Sequence, residues 1–282
     1  MIKAIEYASF ASEIFVLPAA VTKIQSMLDD ETATMDDFAS VVKFDPTLST
    51  QLIKIVNSPL YNFRGPVDSV SRAVKILGTK AVYDLAISYG IASAFNDVDE
   101  DTVDLERFWE YSVRTALFAQ YWAQKLSLHE PERFFTAGLI HNIGELVVIR
   151  REPKIAKQCN RFTINEQPWE KQLDIMGYTF KDITVNLLQV WGVPGSITDL
   201  IKPLHDSPQH IGSIDSKVMQ LAYHQALLES YPLFINDITE LPEQYAISLG
   251  LNQQSLDKSV DNIRHRPLTV VSLFTPSGYV SI

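Results

Sequence analysis

The sequence predicts an all-α protein of two helical lobes, residues 1–98 and 99–282, ending in a short extended C-terminal tail. Three observations carry this reading. Apolar residues recur at helical spacing in most segments, as at Val21, Ile24 and Leu28. Helix start and stop residues punctuate the chain at short intervals. Only the last stretch, TVVSLFTPSGYVSI, has the β-branched and aromatic character of extended chain.

The first helix read from this pattern is PAAVTKIQSML. Thr34 then caps MDDFASVVKF, whose acidic residues fall in the first turn, where the helix dipole favours them. Asp45-Pro46 opens the next helix, with Asp as cap and Pro at the first helical position, where its missing N–H costs nothing. That helix aligns Leu48, Leu52, Ile55 and Val56 and stops at Asn57-Ser58-Pro59, since a residue preceding proline is pushed out of helical geometry. Ser69 caps VSRAVKIL, Gly78 supplies a left-handed turn, and Thr79 caps KAVYDLAISYGIASAF. The acidic run at 96–104 is the expected linker; it lacks the ligand spacing of a calcium loop. Helices are expected beyond it at 105–126, 131–149, 152–160, 166–176, 179–191, 195–205, 213–229, 239–249 and 253–262.

Composition narrows the function. A chain of 282 residues, 46% hydrophobic and 21% charged, can bury a sizeable core. The net charge of −10 comes without a Lys/Arg cluster, so neither nucleic acid nor an anionic membrane is a natural partner. The corner at 69–94 has a helix-turn-helix outline, but its second helix carries only Lys80 near its start and also Asp84. The lone Cys159 excludes an internal disulfide and reads as a buried thiol in a reducing, cytoplasmic setting. The N-terminal stretch, interrupted by Glu6 and Glu13, does not read as a secretory signal, and no run approaches the ~18 apolar residues of a membrane span.

The segment FFTAGLIHNIGELVVI is apolar nearly all round and reads as one central helix. At ~100° per residue, His141, Asn142 and Glu145 share one side of it. Such a trio is either hydrogen-bonded within the core or faces a cleft. Gly138 and Gly144 allow another helix to approach closely. A pair of divalent ions needs imidazoles and a bridging carboxylate, and Asn142 offers only one neutral carbonyl oxygen.

The ordered set of motifs resembles the HDOD domains of bacterial signalling proteins, relatives of the HD-type phosphohydrolases. It comprises Leu17-Pro18, Asp45-Pro46-Thr47-Leu48, Asn57-Ser58 with Leu60-Tyr61, and VDSVSRAVKILG. Phe108 to Ser112, Ala137 to Gly144 and Trp191-Gly192-Val193-Pro194 complete it, spanning about residues 14 to 230. The resemblance implies a two-lobed HDOD fold whose C-terminal lobe is similar to the HD hydrolase core. In active relatives the metal ligands are a His, a His-Asp pair and a later Asp. Carried over, these fall at Tyr111, His141, Asn142 and Tyr223, so one ligand of four survives.

The resemblance therefore implies no catalytic residue, no metal and no cofactor, and a stand-alone regulatory module that binds a protein partner or small regulatory ligand. Its candidate pocket is His141, Asn142, Glu145, His205 and His224. The alternative is a metal-dependent phosphohydrolase acting on a nucleotide or phosphate ester through a divalent metal, with His141, Glu145, His205 and His224 as the residues to test. His129, His210 and His265 lie in polar, loop-like surroundings and read as surface residues.

Overall fold

The computed structural model describes residues 3–28, 30–61, 63, 65–95, 104–163, 166–206, 212–231, 240–264 and 270, the side chains of 240 and 241 excepted. The described residues are mainly helical and include no strand. Two compact units divide the chain: Val16–Asn96 with Leu268–Ile282, and Met1–Phe15 with Asp97–Pro267. The extended tail expected at the C-terminus lies outside the described residues, apart from Val270.

The smaller unit contains α2 (Ala19–Leu28), α3 (Met35–Phe44), α4 (Pro46–Val56), α5 (Val70–Leu77) and α6 (Thr79–Ala94). Its helix ends follow local chemistry. The Thr34 hydroxyl accepts the Asp37 N–H while the Asp37 side chain accepts that of Thr34, a reciprocal cap for α3. Asp45 Oδ1 accepts from the N–H groups of Thr47 and Leu48, and Pro46 starts α4. Asn57 ends α4 and closes the following loop, exchanging two hydrogen bonds with the backbone of Val67 at 2.7 and 2.8 Å. One expectation fails here: Thr79 is the first helical residue of α6, and Gly78 occupies the cap position. Gly78 reaches that position with φ +83° and ψ 162°, an extended turn rather than the left-handed helical one.

The larger unit opens with α1 (Ala4–Ile14), which the sequence pattern did not single out. Tyr7, Ala8 and Ala11 form its buried face, and the helix packs on α9 and α12. The Tyr7 hydroxyl donates to Glu152, and Arg151 donates to the Glu6 carbonyl at 2.6 Å. After α7 (Leu105–Lys125), whose N-terminus Asp104 caps, the chain turns into α8 (Pro131–Ile140) and α9 (Ile143–Arg151). Then follow α10 (Pro153–Cys159), α11 (Pro168–Met176), α12 (Phe180–Val190), α13 (Gly195–Ile201), α14 (Ile214–Ser230), α15 (Glu240–Ser248) and α16 (Gln253–Ile263). α13 stops at Ile201, and 202–205 continue as turns. The core of this unit is α7, packed against both α8 and α14.

The largest correction lies in 131–149, which is two helices and not one. His141 and Asn142 form the break, with Asn142 at φ −112° and ψ 13°. Three bonds satisfy the polar groups that a broken helix leaves open. His141 Nδ1 lies 2.7 Å from the Gly138 carbonyl, the Gly144 N–H donates to Thr184 Oγ1 at 2.8 Å, and the Glu145 N–H donates to the Asn142 carbonyl. The break lets α8 lie on α7 and α9 on α12. Both contacts are backbone-close: a Cβ at Gly138 would stand 2.5 Å from Ala116 Cα, and one at Gly144 would stand 2.1 Å from the Phe180 carbonyl oxygen.

Neither contact can be relieved by moving a side chain. We expect Gly138→Ala and Gly144→Ala each to destabilise the protein by about 3 kcal/mol or more, at the top of the overpacking range. Gly90→Ala meets chiefly the Val21 and Pro18 side chains, from 2.8 Å, and should cost less. Urea unfolding followed by circular dichroism measures the ranking.

Candidate functional site

Tyr111 from α7, His141 at the end of α8 and Tyr223 from α14 come together in the core of the larger unit. Their ring centroids are 5.2 Å apart for Tyr111–His141, 6.0 Å for Tyr111–Tyr223 and 5.5 Å for His141–Tyr223, with every pair edge to face. All three are buried, and the α7–α8 and α7–α14 contacts place them. Tyr223 is the hub. Its ring also meets His205 at 5.6 Å, His224 at 5.1 Å and Trp169 at 5.9 Å. Trp169 in turn stacks on His205 at 4.9 Å.

This packing fixes the state of each ring. The contact to the Gly138 carbonyl requires that His141 carry its proton on Nδ1, which leaves Nε2 as an acceptor without a hydrogen-bond partner. Burial lowers the His141 pKa to about 4, against a smaller opposing effect of that hydrogen bond, so the imidazole is neutral. His224 is similar: Nδ1–H donates to the Gln220 carbonyl at 2.8 Å, and burial brings its pKa to about 4. Burial also lowers His205, with the charge of Lys181 adding to the effect. Tyr111 and Tyr223 are pushed up by burial and stay as neutral phenols.

The donor set does not suit a divalent ion. His141 keeps the tautomer of a metal ligand, Nδ1–H on a backbone carbonyl and Nε2 open. Opposite it, however, stand two neutral phenols, which are poor ligands for a divalent ion. Asn142 is turned away as well, its amide donating to Glu145 Oε2 at 2.6 Å. His141, His205 and His224 each pack against the Tyr223 ring. Among the described residues no three His, Cys, Asp or Glu side chains are placed to hold one ion.

Beside this cluster a cavity of about 250 Å³ opens. Tyr111, Tyr223, Tyr231, Phe108 and Phe162 line its apolar wall, and Asn142, Glu145, Asn160 and Gln172 its polar one, with Asp104 and Arg107 also on the lining. Glu145 is 8% exposed. Its two carboxylate oxygens each accept one amide N–H at 2.6 Å, from Asn142 and from Asn160. Burial raises its pKa and the two amides oppose that shift. The Tyr231 hydroxyl rises to about 12 through burial and the Glu145 charge. Arg107 lies on the Tyr231 ring, 4.0 Å from its centroid.

Comparison with known proteins places this arrangement in a family. The HDOD domain pattern matches residues 14–207. The chain belongs to the HDOD family. An uncharacterised Treponema pallidum protein is 24% identical over 195 residues, covering 68% of this chain and 37% of that relative, so the match spans little more than a third of the relative's length. A Shewanella amazonensis protein provisionally named a phosphohydrolase superposes with a TM-score of 0.74 at 21% identity, covering 95% of this chain and 98% of that one. A Geobacter sulfurreducens HDOD domain protein of unknown function gives 0.71 at 20% identity, covering 96% and 98%. These last two likenesses are of fold.

In this HDOD chain the helices gather every position singled out from the sequence into one neighbourhood, but in two layers. Asn142 and Glu145 line the cavity with Tyr111 and Tyr223, whereas His141, His205 and His224 are absent from its lining. Tyr223 lies beyond the matched HDOD span, and its place beside Tyr111 comes from α14 packing on α7. Sequence reasoning missed Asn160, Trp169, Tyr231 and Arg107. Asn160 lies next to Cys159 in KQCNRF, a segment read only for its thiol, and that thiol is buried, with burial and then the Glu145 charge raising its pKa to about 11. His129 is an exposed surface residue, while His210 and His265 lie outside the described residues. Among the described residues no single helix is long and apolar enough to cross a membrane.

Neutral buried histidines make stability depend on pH. A group whose pKa is depressed by folding binds fewer protons in the folded state, so its contribution is complete above its unfolded value of 6.5 and is lost as pH falls toward 4. We expect His141 and His224 to remove about 3 kcal/mol each across that window. His224→Gln should be less stable at pH 7 but decline less steeply with acid, by about 1.4 kcal/mol per pH unit. Urea midpoints at half-unit pH intervals measure both effects.

Proposed function

We propose that this HDOD protein is a non-catalytic signalling module that binds a small regulatory ligand or a protein partner. The observation that supports the reading is the Tyr223 ring, packed among His141, His205, His224 and Tyr111 where no three His, Cys, Asp or Glu side chains among the described residues are placed to hold an ion. The chemistry around it agrees. Hydrolysis of a phosphate ester through a divalent ion needs anionic ligands to hold the ion and a polarised water. Here the ring cluster is neutral, and the one buried carboxylate nearby has both oxygens engaged by amides.

Nucleophilic catalysis has no better footing. The Cys159 thiol is buried and protonated, and no imidazole contact to it is present among the described residues. A ligand site needs none of these reactive groups. It needs a concave surface where apolar rings and convergent polar atoms meet, which the cavity supplies. The signalling role rests on the family resemblance, and the cytoplasmic setting on the lone Cys159.

Metal analysis of protein purified without chelator, combined with a phosphodiesterase and phosphatase screen, tests the reading. We expect sub-stoichiometric metal and no turnover. Stoichiometric Mn, Fe, Ni or Zn, with turnover abolished in His141→Ala, would establish the phosphohydrolase alternative instead. Restoring the ligand set with Tyr111→His, Asn142→Asp and Tyr223→Asp together should raise divalent-ion affinity by at least tenfold. Failure of the triple variant to gain affinity would show that these positions do not correspond to the ligands of active relatives.

A further inference from the structure

The cavity has a polarity that selects among ligands. Glu145 is more than nine-tenths buried, and no Lys, Arg or His among the described residues forms an ion pair with it. Its oxygens accept one N–H each, which leaves two of about four lone-pair sites unfilled. The carboxylate sits in the first turn of α9, where the helix dipole favours negative charge. The two amide bonds favour it as well, against the burial that raises its pKa.

The apolar wall fits the same chemistry. Tyr223, Tyr111, Tyr231 and Phe162 form a continuous edge-to-face series with centroid spacings of 6.0, 6.1 and 5.7 Å. Tyrosine faces attract cations through the ring quadrupole, and Arg107 already exploits one, on Tyr231. The charged residues of the lining are Asp104, Arg107 and Glu145, a net charge of −1. Arg107 is committed to Tyr231 and to the Ser230 carbonyl at 3.3 Å. The lining thus carries more negative than positive charge, which disfavours a phosphate or carboxylate beside Glu145.

We propose that this cavity binds a small primary ammonium compound, its –NH3+ group on Glu145 and its short apolar stem against the tyrosine and phenylalanine rings. The three donors of the ammonium match the open lone pairs of Glu145. At about 250 Å³ the cavity falls just below the ~300 Å³ lower end of small-molecule sites, so the ligand is a small one. This assignment rests on the regulatory reading above and gives it a ligand class.

Isothermal titration calorimetry of the full chain at pH 7.5 tests it, with butylamine, putrescine and phenethylamine each paired with the alcohol of the same skeleton. We expect at least one amine to bind at least tenfold more tightly than its alcohol. Glu145→Gln should weaken that amine tenfold or more, and Tyr231→Leu should weaken it severalfold, while Tyr231→Phe, which keeps the ring, should bind within twofold of the parent. If Glu145→Gln does not fold, judged by its melting curve, the two Tyr231 variants carry the decision. Amines that bind no better than their alcohols, or affinities unchanged in both Glu145→Gln and Tyr231→Leu, would overturn the proposal. In a metal-free, inactive protein that result overturns the ammonium site alone. Together with metal-dependent turnover it overturns both readings.

Discussion

The break at His141–Asn142 is the constraint on which the larger unit depends. A continuous helix through 131–149 could not place Gly138 against the α7 backbone and Gly144 against the Phe180 carbonyl at once, because the two contacts lie on differently directed segments. The chain breaks where the polar side chains can satisfy the groups that are freed. His141 takes the Gly138 carbonyl, Thr184 takes the Gly144 N–H, and Asn142 becomes the first residue of a new cap. Buried polar groups left unsatisfied would each cost about 1–3 kcal/mol, so these few bonds decide whether the break is tolerable.

The same break organises the site. It turns Asn142 toward Glu145, and so commits its side-chain amide to a hydrogen bond. It also leaves His141 in a ligand-ready tautomer that faces two tyrosines. What remains is a rigid, neutral aromatic cluster backing a cavity with one buried negative charge.

Much of the local structure was legible before any tertiary information. Thr34, Asp45, Asn57 and Ser69 act through atoms within a few residues of themselves, and the backbone obeys them. The convergence of Tyr111, His141 and Tyr223 was anticipated only through a resemblance, since no local rule connects residues that far apart. Other features had weaker signals. The helix Ala4–Ile14 repeats Tyr7, Ala8 and Ala11 at helical spacing, but small residues give little amphipathic contrast. Asn160 and Tyr231 carry no motif at all and matter only because the fold brings them to Glu145.

By itself the sequence determined the helical class and most of the caps. Each of these is a property of residue identity and near-neighbour spacing. Tertiary structure alone decided that the central helix breaks, that three histidines pack on the Tyr223 ring, and that Glu145 lines a cavity beside aromatic rings with no ion-pair partner among the described residues. Those outcomes depend on which helices approach at backbone distance and which polar groups are thereby buried. Packing sets both, between residues that no periodicity relates.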